Sequence, residues 1–172
     1  MIINTLTRKQ FVPAPAERVF GFFSQPENLA ALTPPDLGFV IHTPSPVAMR
    51  EGALIDYTIR LLGMPVRWTT IITAYEPGRS FVDEQLRGPY SYWRHTHLFE
   101  DVPGGTLVSD SVRYALPFGR LGALVHRFAV KDRLREIFDY RESVIRTLFG
   151  PGGDGAGATT GEAAGTPGGL RA

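Results

Sequence analysis

The sequence predicts an α+β fold in which a curved antiparallel sheet of about six or seven strands wraps around one long C-terminal helix. Residues 38–116 alternate apolar and polar positions in short runs separated by glycine and proline, which is typical of consecutive antiparallel strands. Residues 130–149 instead carry apolar side chains at helical spacing. Two short helical segments precede most of the strands, so strands and helices do not alternate along the chain.

The N-terminal part of the chain is predicted to form one strand followed by two short helices. Residues 1–12 alternate as a strand does, and Pro13 ends that strand. The first helix begins at Pro15, because proline suits the first helical turn, and it places Val19, Phe20 and Phe23 on one face. The second helix is predicted over 26–32 and ends before two consecutive prolines at 34 and 35.

Six further strands are predicted, over 39–42, 53–62, 66–75, 80–87, 90–100 and 106–116. Glycine and proline cluster at 63–65, 88–89 and 103–105, where short connections would form tight turns. Strands joined in this way form an antiparallel meander, since a parallel sheet would need a helix between successive strands.

The C-terminal segment is predicted to form a helical region in two parts, followed by a tail. The apolar stripe of 118–128 is out of phase with that of 130–149, which predicts a short lid over a pocket and then a helix packed across the sheet. From Gly150 onward the chain holds nine of its 19 glycines and no aromatic residue. We therefore expect one domain over 1–149 and a disordered glycine- and alanine-rich tail over 150–172.

Composition excludes several classes of protein. The net charge is +1 and no basic cluster is present, so we expect no nucleic-acid partner. The chain has no cysteine, which excludes disulfides and thiolate chemistry and fits a cytoplasmic location. No apolar run is long enough to span a membrane, and the N-terminus does not have the pattern of a signal peptide. The sequence indicates no cofactor and leaves the oligomeric state open.

Polar and large apolar side chains share the same strand faces in the central strands. Because strand residues two apart point to the same side, three such sets can be read from the sequence. A face covered by the long helix would direct these polar groups into a mainly apolar space, as in ligand pockets. The sets are Phe81, Asp83 and Gln85; Trp93, His95, His97 and Phe99; and Val108, Asp110, Val112, Tyr114 and Leu116.

Three interpretations of the His95 and His97 pair are possible. The pair could bind a metal ion together with Asp83 or Asp110, since residues two apart on a strand point both imidazoles the same way. One histidine could instead be a general base oriented by an aspartate, with Tyr114 as proton donor. We favour the third interpretation, a hydrogen-bonded network without metal, because two histidines alone are a weak metal signal.

Arg141 lies on the apolar stripe of the long helix. Two interpretations are open for it. It could be a buried ion-pair partner of Asp83 or Asp110, or its charged end could extend out of the stripe into water.

The order of elements and several local motifs resemble the SRPBCC superfamily, which includes START lipid-transfer domains, the birch-pollen allergen family, polyketide cyclases and coenzyme-Q-binding proteins. The residues that carry the resemblance lie at 14–23 (APAERVFGFF), 26–29 (PENL), 32–34 (LTP), 88–89 (GP), 93–97 (WRHTH), 110 and 114, and 117–119 (PFG). The resemblance covers 1–149 and implies the helix-grip fold. It matches no catalytic motif of a characterised member, and the fold serves many functions.

We therefore expect a carrier or sensor that binds a hydrophobic small molecule, such as a lipid, an isoprenoid or a polyketide-like compound, between the sheet and the C-terminal helix. The alternative is a cyclase or dehydratase that acts on a polyketide-like substrate through His95, His97, Asp110 and Tyr114. The residues expected to line the ligand site are Tyr57, Trp68, Phe81, Asp83, Gln85, Trp93, His95, His97, Phe99, Asp110, Val112, Tyr114, Leu121, Phe128, Leu134 and Phe138.

Overall fold

The computed structural model describes residues 1–61, 63–117 and 130–150. Within these ranges, seven strands form one sheet and two α-helices accompany it. The strands are β1 (Asn4–Val12), β2 (Val40–Ile41), β3 (Leu54–Leu61), β4 (Met64–Glu76), β5 (Ser80–Arg87), β6 (Tyr92–Val102) and β7 (Gly105–Ala115). The helices are α1 (Ala16–Phe23) and α2 (Lys131–Phe149).

The predicted helix-grip fold is confirmed, with one difference in the helices after β1. The second short helix is a 3₁₀ segment, Pro26–Leu29, and a further 3₁₀ turn, Pro35–Leu37, follows it. The prolines at the start of both segments and their short length suit the tighter 3₁₀ geometry. The lid predicted over 118–128 and the tail after Gly150 lie outside the described residues.

The sheet is antiparallel throughout, in the order β1-β7-β6-β5-β4-β3-β2. Strands β3 to β7 follow each other as a meander, while β1 pairs with β7 along nine residue pairs. The β6–β7 turn depends on glycine at two successive positions. Gly104 has a φ of +85°, and a Cβ on Gly105 would lie 2.2 Å from the carbonyl oxygen of Val12.

The pairing of β4 with β5 is irregular at two places, and the second changes which residues of β4 face the core. The register shifts between Thr69 and Thr70, where the extra residue lies in β5, and again between Ile72 and Ala74, where it lies in β4. Each extra residue in a strand bends it and increases its twist. After the second shift, Tyr75 and not Ala74 packs against the core, and its ring centre lies 5.6 Å from that of Phe20.

Helix α2 crosses the concave face of the sheet and packs at two places. Near its C-terminus, Ile145 and Phe149 pack in a core with side chains of α1 and of strands β1, β5, β6 and β7. Near its N-terminus, Leu134 and Phe138 pack against residues of β7. The edge strand β1 adds polar contacts to the helix, among them the 3.0 Å ion pair between Arg8 and Asp139. No helix in the described ranges is both long and apolar enough to cross a bilayer.

The packed end of α2 should contribute a large share of the stability. Ile145 is fully buried among side chains of α1 and the sheet. We expect Ile145→Ala to lower the free energy of unfolding by about 2–5 kcal/mol, because it removes buried methyl groups and leaves a cavity. Urea unfolding monitored by circular dichroism measures this change. The exposed Thr147→Ala on the same helix is the control and should change stability by less than about 0.5 kcal/mol; equal effects would contradict the assignment.

Candidate functional site

A cavity of about 770 Å³ lies between the concave face of the sheet and α2. The 3₁₀ segments after α1 and the β5–β6 turn also border it. Its lining is mainly apolar and comprises Phe23, Pro26, Leu29, Leu32, Thr33, Asp36, Leu37, Phe39, Met49, Ile55, Tyr57, Ile59, Arg60, Leu61, Gly63, Trp68, Thr70, Ile72, Phe81, Asp83, Pro89, Tyr90, Trp93, His95, His97, Leu116, Val130, Asp132, Arg133, Leu134, Glu136, Ile137, Phe138 and Arg141.

Four aromatic side chains from three strands and one turn form a continuous aromatic wall of this cavity. Trp68 is at its centre: it stacks on Tyr57 at 5.9 Å and meets Trp93 and Tyr90 edge-on at 5.3 Å and 5.6 Å between ring centres. The turn that carries Tyr90 is held by Gln85, whose amide donates to the Tyr90 carbonyl at 2.7 Å. These contacts keep flat apolar surfaces facing the cavity.

The polar end of the cavity is a cluster of two aspartates and two histidines, which we call the Asp–His cluster. Asp83 lies directly opposite His95 across β5 and β6, and Asp110 lies directly opposite His97 across β6 and β7. Each histidine also contacts the aspartate that is not directly opposite it. His95 Nε2 is 2.9 Å from Asp110 Oδ1, and His97 Nε2 is 3.1 Å from Asp83 Oδ2.

Two longer or less well-aligned contacts complete the Asp–His cluster. His95 Nδ1 lies 3.5 Å from Asp83 Oδ2. His97 Nδ1 lies 2.8 Å from Asp110 Oδ1 but at an angle that makes no hydrogen bond, so this contact is electrostatic. Each imidazole therefore has one nitrogen near Asp83 and the other near Asp110.

Arg141 supplies a positive charge to the cluster from α2. Its side chain is 14% exposed, its Nη1 lies 3.9 Å from Asp110 Oδ1, and its guanidinium stacks over the ring of Phe138 at 5.0 Å. Of the two interpretations drawn from the sequence, the buried ion-pair partner is the one observed, with Asp110 as the partner.

The charges of the cluster shift the pKa values of its members in different directions. Burial alone would raise the pKa of Asp110, but the charge on His97 and the hydrogen bond from His95 hold it well below its usual value. The pKa of Asp83 is lowered against burial by His95 and His97. Burial and the neighbouring His97 lower the pKa of His95, whereas the two aspartates outweigh burial and raise the pKa of His97. His97 is therefore the imidazole that keeps its second proton to the higher pH.

Several hydrogen-bond donors on the cavity wall have no acceptor among the described residues. They are Trp68 Nε1 and two nitrogens of Arg141, Nε and Nη1. Tyr57 also lines the wall, with its hydroxyl 3.3 Å from Thr70 Oγ1, and burial strongly raises its pKa, so that it stays a neutral phenol. A buried donor without an acceptor is uncommon in folded proteins, and an oxygen of a bound molecule is one partner that could satisfy these donors after a small movement of their side chains.

Nine residues predicted from the sequence as ligand contacts line the cavity, namely Tyr57, Trp68, Phe81, Asp83, Trp93, His95, His97, Leu134 and Phe138. Five others lie behind the lining: Gln85, Phe99, Asp110, Val112 and Tyr114. Leu121 and Phe128 are outside the described residues. Of the proposed catalytic group, His95, His97 and Asp110 converge, and Tyr114 packs behind Trp93 at 6.1 Å between ring centres.

Part of the lining was not predicted from the sequence. Ile55 and Ile59 share a strand face with Tyr57, and Ile137 lies one helical turn from Arg133 and Arg141, so period-two and helical spacing could have indicated these residues. Phe39 and the residues around Pro35–Leu37 carry no such signal, because their position depends on how an irregular segment folds over the sheet.

The fold is shared with solved structures of low sequence identity. The protein CV1439 from Chromobacterium violaceum matches with a TM-score of 0.66 and 17% identity over 86% of this chain and 99% of its own. The ZhuI aromatase/cyclase from Streptomyces sp. R1128 matches with a TM-score of 0.63 and 13% identity over 88% and 99%. Norcoclaurine synthase from Thalictrum flavum has a TM-score of 0.60 and 13% identity over 84% and 94%. No curated protein matches the sequence significantly.

A family model described as "Polyketide cyclase / dehydrase and lipid transport" matches residues 4–140. The match includes all seven strands, the first helix and all the cavity-lining residues of α2 except Arg141. The chain therefore belongs to this polyketide cyclase/dehydrase and lipid-transport family of the SRPBCC superfamily.

Proposed function

We propose that this protein binds one oxygenated hydrophobic molecule, of polyketide-like type, in the cavity beneath α2, as a carrier or sensor. The observation that carries the proposal is the combination of an aromatic wall with buried donors that have no acceptor among the described residues. A purely hydrocarbon ligand would leave those donors without partners, whereas carbonyl or phenol oxygens would accept from them.

The size and character of the cavity support a small-molecule ligand. A volume of about 770 Å³ falls within the range of known ligand pockets, which are mostly apolar with a few convergent polar groups. The stacked pair of Tyr57 and Trp68 offers a flat surface to a planar ring system. Planar aromatic ligands are therefore favoured over flexible acyl chains.

The donors and the Asp–His cluster would orient such a ligand. Trp68 donates from the aromatic wall and Arg141 donates from the helix, so ligand oxygens would be directed toward both. A ligand of about twenty heavy atoms, at about 0.3 kcal/mol per atom, would bind with about −6 kcal/mol, which is a dissociation constant of some tens of micromolar.

A second candidate function is a cyclase or dehydratase, and one observation favours it. His95 lies on the cavity wall while its Nε2 is held by Asp110 at 2.9 Å, which leaves Nδ1, 3.5 Å from Asp83 Oδ2, as the nitrogen that could act as the base. A base positioned in this way can accept a proton from the carbon next to a carbonyl, and Arg141 can stabilise the resulting enolate. The aromatase/cyclase with the same fold gives this candidate chemical precedent.

Binding can be tested with the two tryptophans as reporters, because both line the cavity. We expect 1,8-dihydroxyanthraquinone, added in buffer with EDTA, to quench the tryptophan fluorescence saturably, and palmitate to bind more weakly. Trp68→Phe keeps a ring but removes the N–H donor and should weaken anthraquinone binding about five-fold, the equivalent of about 1 kcal/mol, as measured by calorimetry.

Tyr92→Phe is the matched control for that experiment, since Tyr92 does not line the cavity, and it should leave the affinity unchanged. Equal binding by wild type and Trp68→Phe would contradict the role given to the indole donor. Absence of binding by every planar oxygenated compound tested would overturn the proposed function.

Catalysis can be tested with a linear poly-β-ketone thioester mimic and mass spectrometry for loss of water. The enzyme candidate predicts conversion by the wild type and a loss of at least about 100-fold in His95→Gln, as expected when a general base is removed. Asp110→Asn should lower the turnover number with little change in KM, because Asp110 does not line the cavity. Turnover that persists in His95→Gln would exclude His95 as the base. If the wild type does not convert the thioester, the enzyme candidate is rejected and only the proposed binding function is retained.

A further inference from the structure

The Asp–His cluster has the geometry of a metal site as well as that of a hydrogen-bonded network. Asp83, His95 and His97 each offer one ligand atom, and these atoms all lie within 4.8 Å of one another. Asp83 Oδ2 is 3.5 Å from His95 Nδ1 and 3.1 Å from His97 Nε2. In a tetrahedral site with bonds of about 2.0–2.1 Å, neighbouring ligand atoms are about 3.3–3.4 Å apart, so small movements would suffice.

From these distances we propose that Asp83, His95 and His97 bind a divalent transition-metal ion, of the Zn²⁺ or Fe²⁺ type, at the cavity wall. Two imidazoles and one carboxylate match the ligand sets of catalytic zinc sites and of non-haem iron sites. Ca²⁺ and Mg²⁺ are disfavoured, because they prefer an all-oxygen shell.

Asp110 acts as a positioning residue for this site. It lies within 3 Å of the second ring nitrogen of both histidines, at 2.9 Å from His95 Nε2 and 2.8 Å from His97 Nδ1. The hydrogen bond between His95 Nε2 and Asp110 directs the unprotonated Nδ1 of His95 toward the metal, as in known carboxylate–histidine–metal arrangements, whereas the contact of Asp110 with His97 Nδ1 is electrostatic. One carboxylate that serves two imidazoles explains why an aspartate is buried outside the cavity lining.

Charge balance permits a divalent ion at this position. With neutral histidines, the two aspartates and Arg141 leave a net charge of −1 in a buried site, which a cation would offset. The three ligand residues line the cavity, so the remaining coordination positions would face its interior. A water molecule or a ligand oxygen would occupy them.

Metal binding can be measured with the metal alone, on full-length protein without an affinity tag after treatment with a chelator. We expect one Zn²⁺ ion per chain by calorimetry, a higher melting temperature with Zn²⁺, and a Co²⁺ absorption spectrum of a nitrogen- and oxygen-ligated site. Asp83→Asn should abolish the binding, and Asp110→Asn should weaken it about 10- to 100-fold while it keeps the stoichiometry and the Co²⁺ spectrum.

His42→Gln is the matched control, because His42 is exposed and its ring hydrogen-bonds to Thr58, away from the Asp–His cluster, so binding should not change. X-ray absorption of the Zn²⁺-loaded wild type should show two imidazole ligands, and this measurement needs no variant to fold. The proposal is overturned if the folded wild type binds neither Zn²⁺ nor Co²⁺ saturably, or if folded Asp83→Asn binds as the wild type does. The ligand experiments contain EDTA, so the two proposals fail independently.

Discussion

The burial of two carboxylates beneath α2 is the constraint on which the sheet, the helix and the cavity depend. Asp110 loses its hydration there and Asp83 loses most of its own, and an unpaired buried charge would cost several kcal/mol. The register of three neighbouring strands supplies the compensation, because it sets a histidine directly opposite each aspartate. A slip of one residue in β6 would point both imidazoles to the other face, so the same pairing that stabilises the carboxylates also specifies the register.

The sequence was sufficient to predict the architecture because its signals are local. Glycine and proline at the turns marked the ends of the strands, and β5 has the predicted limits, 80–87. The two-residue alternation of side chains along each strand predicted that the histidines and aspartates face the helix side of the sheet. Nonlocal features could not be predicted. The register shifts between β4 and β5 depend on how the whole sheet curves, and the second of them brings Tyr75 to the inner face. The alternation of apolar and polar residues predicts that a side chain is buried. It does not predict whether that side chain lines the cavity, as His95 does, or lies behind the lining, as Asp110 does.

The two ends of α2 separate stability from binding. At the C-terminal end, Ile145 and Phe149 are buried in a core with α1, and neither of them lines the cavity. At the N-terminal end, Leu134 and Phe138 pack on one side and border the cavity on the other. A helix that is held in place by packing at one end can cover a cavity at its other end, because the second end need not be closely packed. For this reason the fold has both a hydrophobic core and an internal cavity.

The polar groups of the cavity divide into donors and acceptors, and this division would set the orientation of a bound molecule. Trp68 and Arg141 can only donate, so they select oxygen acceptors on the ligand. Asp83 and the near nitrogens of the histidines present lone pairs, which a carbonyl oxygen cannot satisfy but a hydroxyl group, a proton or a metal ion can. A metal ion at that end would convert the acceptors into a single electrophilic centre, and the whole polar surface would then favour the same oxygen-rich ligand. The metal and the ligand would therefore stabilise each other's binding, and by linkage the effect would be equal in both directions.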